Sequence, residues 1–214
     1  MIGSTSGAVD RRRLLGLLAA GTTAGVAGCL GGDDGGDGEG EDGNGDDSTG
    51  EDEDDDHVYD RNAFSHPGEE PVEFTESQRC PVCTMTPLMY PNWRCQLAHE
   101  NGDGVAFDTP GCLFAYYAFL PIDSPVTAGW VTEYEQRELI DATEAYYVVV
   151  TDDTAEEADD DVMKLNPRPF ADREDAVAYL EEWEAEPLTE DDVIRLEDID
   201  RGHAEIYRGN RLPN

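Results

Sequence analysis

The stretch Trp93–Leu120, "WRCQLAHENGDGVAFDTPGCLFAYYAFL", decides the fold. In "WRCQLAHE" the residues Trp93, Cys95, Leu97 and His99 recur at period 2, as a strand with one buried face requires. "NGDG", Asn101–Gly104, is a hairpin turn, and "VAFD" returns as the second strand. "TPGCLFAYYAFL" then places Thr109 as a helix N-cap and Pro110 at the first helical position, ahead of an apolar run to Leu120. Pro121, Ser124 and Pro125 end that helix, and "GWVTEYE" reads as a third strand.

A second unit follows the same plan. "AYYVVV", Ala145–Val150, carries the strongest strand signal of the chain by its β-branched and aromatic content. After the acidic loop "TDDTAEEADDD", the segment "VMKLNPRPF" can pair as the next strand, and "DREDAVAYLEEW" sets Ala176, Val177, Leu180 and Trp183 on one helical face. "TEDDVIRLEDI" reads as a last short helix or strand. Phe107 stands nine residues before Tyr116 and Phe170 nine before Tyr179, a match as compatible with chance as with duplication. The predicted class is α+β, with ββαβ units over 79–140 and 141–200. A polar arm over 57–78, outside the core, precedes them, and a loose tail over 201–214 follows.

The N-terminal part has a different chemistry. Arg11–Leu15, "RRRLL", runs into a short apolar stretch ending at Ala27, too short to span a bilayer and suited to a twin-arginine signal peptide over 1–28. "VAGC", Val26–Cys29, resembles a lipobox, which would make Cys29 the lipidated first residue of the mature protein; an ordinary secretory cleavage site is the alternative. Within 29–56, the residues from Asp33 to Asp56 are fourteen acids, seven glycines and no apolar side chain, so this segment is expected to be an extended, disordered tether. The expected location is the outer face of the cytoplasmic membrane, held by a lipid anchor.

The whole chain carries 50 Asp and Glu against 14 Lys and Arg. That balance makes nucleic acid and anionic membrane surfaces poor partners. With Lys164 the only lysine, the surface reads as adapted to high salt, where screening removes self-repulsion. Most carboxylates are therefore expected on a solvated face. No Ser/His/Asp grouping or phosphate-binding glycine loop points to catalysis, so a non-enzyme is expected.

Beyond Cys29, four cysteines remain: Cys80 and Cys83 in "RCPVCTMTP", then Cys95 and Cys112. An even count in an exported chain permits disulfides, Cys80 with Cys83 and Cys95 with Cys112. A CxxC pair also suits zinc, although zinc sites usually show a second close pair, and it suits a thiol–disulfide exchange protein. Met85, two residues past Cys83, tilts the reading toward Cu(I), which takes thiolate and thioether together. Cys112, near the third residue of its helix, has the helix dipole and free N–H groups to favour its thiolate. Cys95 reads as a core residue and His99 as a partly exposed histidine at a strand end, each a secondary candidate ligand.

The ordered series "CPVCTM", "WRCQLAHENGDGVAFDTPGCLFAYY", "DATEAYYVVV" and "PF…AVAYLEEW" resembles the NosL family of copper-binding lipoproteins associated with nitrous oxide reductase assembly, here as an acidic member of haloarchaeal type. The resemblance implies two related ββαβ units. It also implies binding of one Cu(I) outside the cytoplasmic membrane and supply of that copper to nitrous oxide reductase through a membrane assembly complex. Carried over by position, the metal residues are Cys80, Cys83, Met85 and Cys112, with Met163 in "DDVMKL" a further candidate. Thr84 stands where the family has glycine. A β-branched residue is not expected to accept the positive φ that glycine allows, so the turn and the reach of Met85 are expected to differ. A zinc-stabilised interaction domain and an exported thiol–disulfide protein are the competing functions.

Overall fold

A computed structural model describes Tyr59, residues 62–155 and residues 161–213. The leader, Cys29 and the acidic tether lie outside the described residues. No described helix is long and apolar enough to cross a membrane.

The hairpin forms as its sequence predicts. β1 (Phe64–Ser65), β2 (Cys95–His99), β3 (Asp103–Phe107), β4 (Val126–Thr132) and β5 (Leu139–Asp141) build one antiparallel sheet in the order β1-β3-β2-β4-β5. β2 pairs with β3 in the register Cys95↔Phe107 and Leu97↔Val105, and with β4 from Cys95↔Val131 to His99↔Val126. The chain reverses at Gly102, whose φ of 85° only glycine adopts freely. β4 starts three residues before the expected Gly129, because Val126 finds its partner in His99 at the far end of β2.

Helix α1 (Pro110–Tyr117) begins as read, with Thr109 at the N-cap and Pro110 in the first turn. Its residues from Pro110 to Tyr116 are all buried, which suits a helix apolar on every side. One side meets the first sheet, where Tyr116 packs edge-on to Phe107 at 5.2 Å. Phe114 meets Tyr147 at 5.3 Å and Tyr207 at 5.6 Å on other sides.

β6 (Tyr146–Val148), β7 (Arg168–Phe170) and β8 (Val193–Ile194) form the second antiparallel sheet, order β7-β6-β8, with α2 (Arg173–Glu182) between β7 and β8 in sequence. Both units thus run strand, strand, helix, strand, and in both the first strand lies between the other two. The Phe–Tyr spacing has a structural counterpart: Phe170 and Tyr179 are in ring contact at 5.4 Å in the second unit, tilted, as Phe107 and Tyr116 are at 5.2 Å, edge-on, in the first. Of "VMKLNPRPF" only Arg168–Phe170 is strand, since Met163 and Lys164 take positive φ and Pro167, just before the strand, offers no N–H to a ladder. Buried Arg168 ties the units together. It pairs with Asp161 and stands over the rings of Trp93, Tyr134 and Trp183.

Two expectations are corrected here. The arm over 57–78 is not peripheral: His66 is buried, hydrogen bonds to Gln96 at 2.8 Å and stacks on Trp130 at 5.2 Å, while the Val72 backbone exchanges two hydrogen bonds with the Gln96 amide. It thereby covers the second face of β2. The tail is not loose either. Arg201–Arg208 forms a helix, α3, capped by Asp200, and buries Ala204, Tyr207 and Arg208 against α1.

Candidate metal centre

Cys80 and Cys83 are set by one tight turn. Thr84 N–H donates to the Cys80 carbonyl and Cys80 N–H to the Met85 carbonyl, both at 2.8 Å, closing the loop from each end. The helical twist is stopped by Thr84 at φ 65°, the left-handed position where glycine is usual. The expected departure at Thr84 is thus corrected: the β-branched residue does take the positive φ. Its side chain is exposed, and its hydroxyl donates to the Cys83 carbonyl at 2.6 Å, a local bond that offsets part of the strain of that φ.

Cys112 comes from the start of α1, its N–H bonded to the Thr109 hydroxyl at the N-cap. Asp108 sits between the end of β3 and that cap. These two segments bring Cys80, Cys83, Asp108 and Cys112 together, with ligand atoms all within 4.8 Å of one another and all four residues buried. The four cysteines beyond Cys29 are free thiols, so neither of the disulfides that the even count permits is formed.

The four groups divide the charge unevenly. Burial disfavours a Cys112 thiolate, yet hydrogen bonds from Cys80 and Cys83, the Arg208 charge and the Thr109 hydroxyl outweigh it and hold Cys112 well below the ordinary thiol range. Burial, then hydrogen bonding to Cys112, pushes Cys80 well up. Cys83 is raised chiefly because its S–H is bonded to Cys112. For Asp108, burial and the neighbouring Cys112 charge push the carboxyl up to about 6, against hydrogen bonds from Cys83 and Cys80. Cys83 Sγ lies 3.0 Å from Asp108 Oδ1, so its single S–H is shared between that carboxylate and the Cys112 sulfur. Asp108 Oδ2 is buried without a partner, an acceptor aligned with no donor of the protein.

The remaining sequence candidates are placed as follows. Met85 closes the cysteine turn through its backbone carbonyl, and its side chain is half-buried against the core. Met163 lies half-buried in the left-handed turn before Asn166, whose side chain holds Arg208. Cys95 is fully buried in β2, its thiol 3.3 Å from the Trp93 carbonyl, and is not one of the four. His99 is buried, not partly exposed, because β2 is a central strand. Its Nδ1 meets the Ser124 carbonyl at 2.8 Å and its Nε2 the Tyr116 hydroxyl at 3.0 Å, so both ring nitrogens are engaged away from the thiols.

Three participants were not read from the sequence. Asp108 is one carboxylate among many, marked only by its place just before the N-cap. Arg208 donates from Nε to Cys112 Sγ at 3.2 Å. Tyr59 is buried, donates to the Ala115 carbonyl at 3.2 Å, and has its hydroxyl pKa raised by burial and, less, by the charges of Cys112 and Cys80.

A two-sheet α+β domain that gathers three thiols and a carboxylate defines a protein built to hold a soft or borderline metal ion. The NosL family model matches residues 71–197, and the chain belongs to the NosL family. A solved structure similar to it is that of the copper chaperone NosL from Shewanella denitrificans, at 17% identity and a TM-score of 0.48, covering 62% of this chain and 97% of that one. A comparison with curated proteins found no match.

Proposed function

We propose that this chain is a Cu(I) carrier anchored by lipid at Cys29 on the outer face of the cytoplasmic membrane, supplying copper for nitrous oxide reductase maturation through a membrane assembly complex. The observation that carries the copper reading is the convergence of Cys80, Cys83 and Cys112, from two separate segments, into one buried group of free thiols. Three sulfurs are a donor set that a soft monovalent ion favours, and Met85 stands at the rim of the same turn as a thioether donor. Family membership and the leader with its lipobox support the same reading. The site has the features of a carrier rather than a catalyst.

Loading replaces protons. Cu(I) takes the Cys112 thiolate directly, and the S–H protons of Cys80 and Cys83 leave as their sulfurs bind. Release needs an accessible side. Cys80, Asp108 and Cys112 are wholly buried, whereas Cys83 is 6% exposed and Met85 half-exposed, so an incoming donor from an acceptor protein reaches the ion through the 83–85 turn.

A second reading has one specific observation behind it. Asp108 is a hard oxygen donor, and three thiolates with a carboxylate also suit tetrahedral zinc. Anaerobic loading of the reduced protein with Cu(I) and with Zn(II), each against competing chelators, decides between them. Retention of one Cu(I) per chain that is lost in Cys80→Ser and Cys112→Ser, with weaker zinc binding, is expected. Zinc held more tightly than copper, or unfolding on zinc removal, would overturn the carrier reading.

A further inference from the structure

We infer that Arg208, on the C-terminal helix, is a specificity-determining residue that shifts the thiol site's selectivity toward a monovalent ion and away from a divalent one. The inference rests on the metal-site reading above. Arg208 lies beyond residues 71–197, so the family match does not supply it.

Arg208 is 1% exposed, and its five N–H groups are all used. Nε donates to Cys112 Sγ at 3.2 Å. Nη2 donates to Thr109 Oγ1 and Asn166 Oδ1, both at 2.7 Å, and Nη1 to the carbonyls of Leu165 at 3.2 Å and Tyr207 at 2.6 Å. Of these five partners four are neutral and the fifth is the metal-site sulfur. Among the described residues no carboxylate forms an ion pair with it. A buried guanidinium without a carboxylate is costly unless another anion balances it, and here that anion is the thiol site.

The charge arithmetic gives the direction. With Cys80, Cys83, Cys112 and Asp108 all deprotonated, the ligands carry four negative charges. A monovalent ion leaves a net −3, which Arg208 reduces to −2; a divalent ion leaves −2, reduced to −1. The cost of holding net charge in a low-dielectric interior grows with its square. Removing Arg208 therefore raises that cost by five arbitrary units for the monovalent complex (nine less four). For the divalent complex it rises by three (four less one). The monovalent ion loses more, and selectivity moves toward the divalent one. The bond to Cys112 also occupies a sulfur lone pair, holding that thiolate's orientation toward Cys80 and Cys83.

The test compares Cu(I) and Zn(II) affinities by anaerobic chelator competition on the full chain for wild type, Arg208→Gln, Arg208→Lys and Asn166→Asp. Folding of each apo-protein is checked by circular dichroism and thermal unfolding. Arg208→Gln is expected to weaken Cu(I) binding by about 10–100-fold, the usual effect of losing an outer-shell partner, and to weaken Zn(II) less. The copper-to-zinc ratio then falls. Arg208→Lys keeps the charge and should restore most of the ratio. Asn166→Asp, nearly isosteric, gives Arg208 a competing anion and should lower the ratio in the same direction, which decides the matter if Arg208→Gln does not fold. A ratio unchanged in the folded variants, or lost as fully in Arg208→Lys as in Arg208→Gln, would overturn the inference while leaving the metal site intact. Wild type that binds neither ion would overturn the site itself, and the inference with it.

Discussion

Cys83 donates its thiol hydrogen to Asp108 Oδ1 at 3.0 Å, while Asp108 Oδ2, fully buried, meets no donor. A carboxylate in this position is costly in the apo-protein and useful only when a cation arrives. Asp108→Asn keeps an oxygen acceptor for Cys83 and removes the charge. We expect its apo-protein to unfold at an unchanged or higher temperature, while metal retention in chelator competition drops by about 10–100-fold. Retention equal to wild type would take the carboxylate out of the site.

Thr84 holds φ 65° with a β-branched side chain, a conformation that costs an L-residue about 1–2 kcal/mol. Thr84→Gly removes that strain but adds backbone entropy to the unfolded chain, about 0.5–1 kcal/mol. The net expectation is a gain of up to about 1 kcal/mol, read as a rise of roughly 2–4 °C in Tm for a domain of this size. Because the two backbone bonds that close the turn do not involve the side chain, metal affinity should be preserved. A lower Tm would mean that the Thr84 hydroxyl, not the backbone, holds the turn.

Why some of the site was legible and some not follows from how each residue signals itself. Thr109 and Pro110 announce a helix start by local chemistry, and three cysteines stand out because the chain has so few. Period 2 located β2, but it could not show that both faces of the strand are covered, since the arm that buries Gln96 comes from residues some thirty positions earlier. His99 was misplaced for the same reason. Asp108 is hidden by composition: on a chain with 50 acids, one buried carboxylate looks like its neighbours. Arg208 follows a polar stretch, and its burial depends on α3 meeting α1, a contact between residues nearly a hundred positions apart that no local pattern encodes.

Gly111 shows how closely that contact is fitted. A Cβ there would lie 2.9 Å from the Arg208 guanidinium carbon and Nη2 and 2.9 Å from Asn166 Oδ1. Arg208 cannot swing aside, because its five hydrogen bonds fix it. Gly111→Ala, which would otherwise favour a helix, should therefore destabilise by about 1–3 kcal/mol through overpacking. The same change should weaken metal binding by displacing the guanidinium from Cys112. Chemical denaturation and chelator competition check both. A variant as stable as wild type, with metal affinity unchanged, would show that α3 yields easily.

Glu186 gives the pH dependence a clear sign. Its carboxylate accepts from the Asp152 N–H at 3.0 Å, the Trp183 indole at 3.1 Å, and the Thr151 N–H and hydroxyl, pinning the loop after β6 to the end of α2. Burial raises its pKa, but the hydrogen bonds from Thr151, Asp152 and Trp183 outweigh burial and hold it below the ordinary carboxylate value. The folded state thus binds this proton less readily than the unfolded chain. Its stabilisation is complete above the unfolded-state pKa and is lost as pH falls through the folded one. Glu186→Gln should lower stability at neutral pH by about 0.5–1 kcal/mol, the partial exposure keeping the value small. The gap between wild type and variant should close as pH drops below about 4. Thermal unfolding of both proteins across pH 3–7 measures it, and a gap of constant size over that range would mean that Glu186 contributes through shape alone.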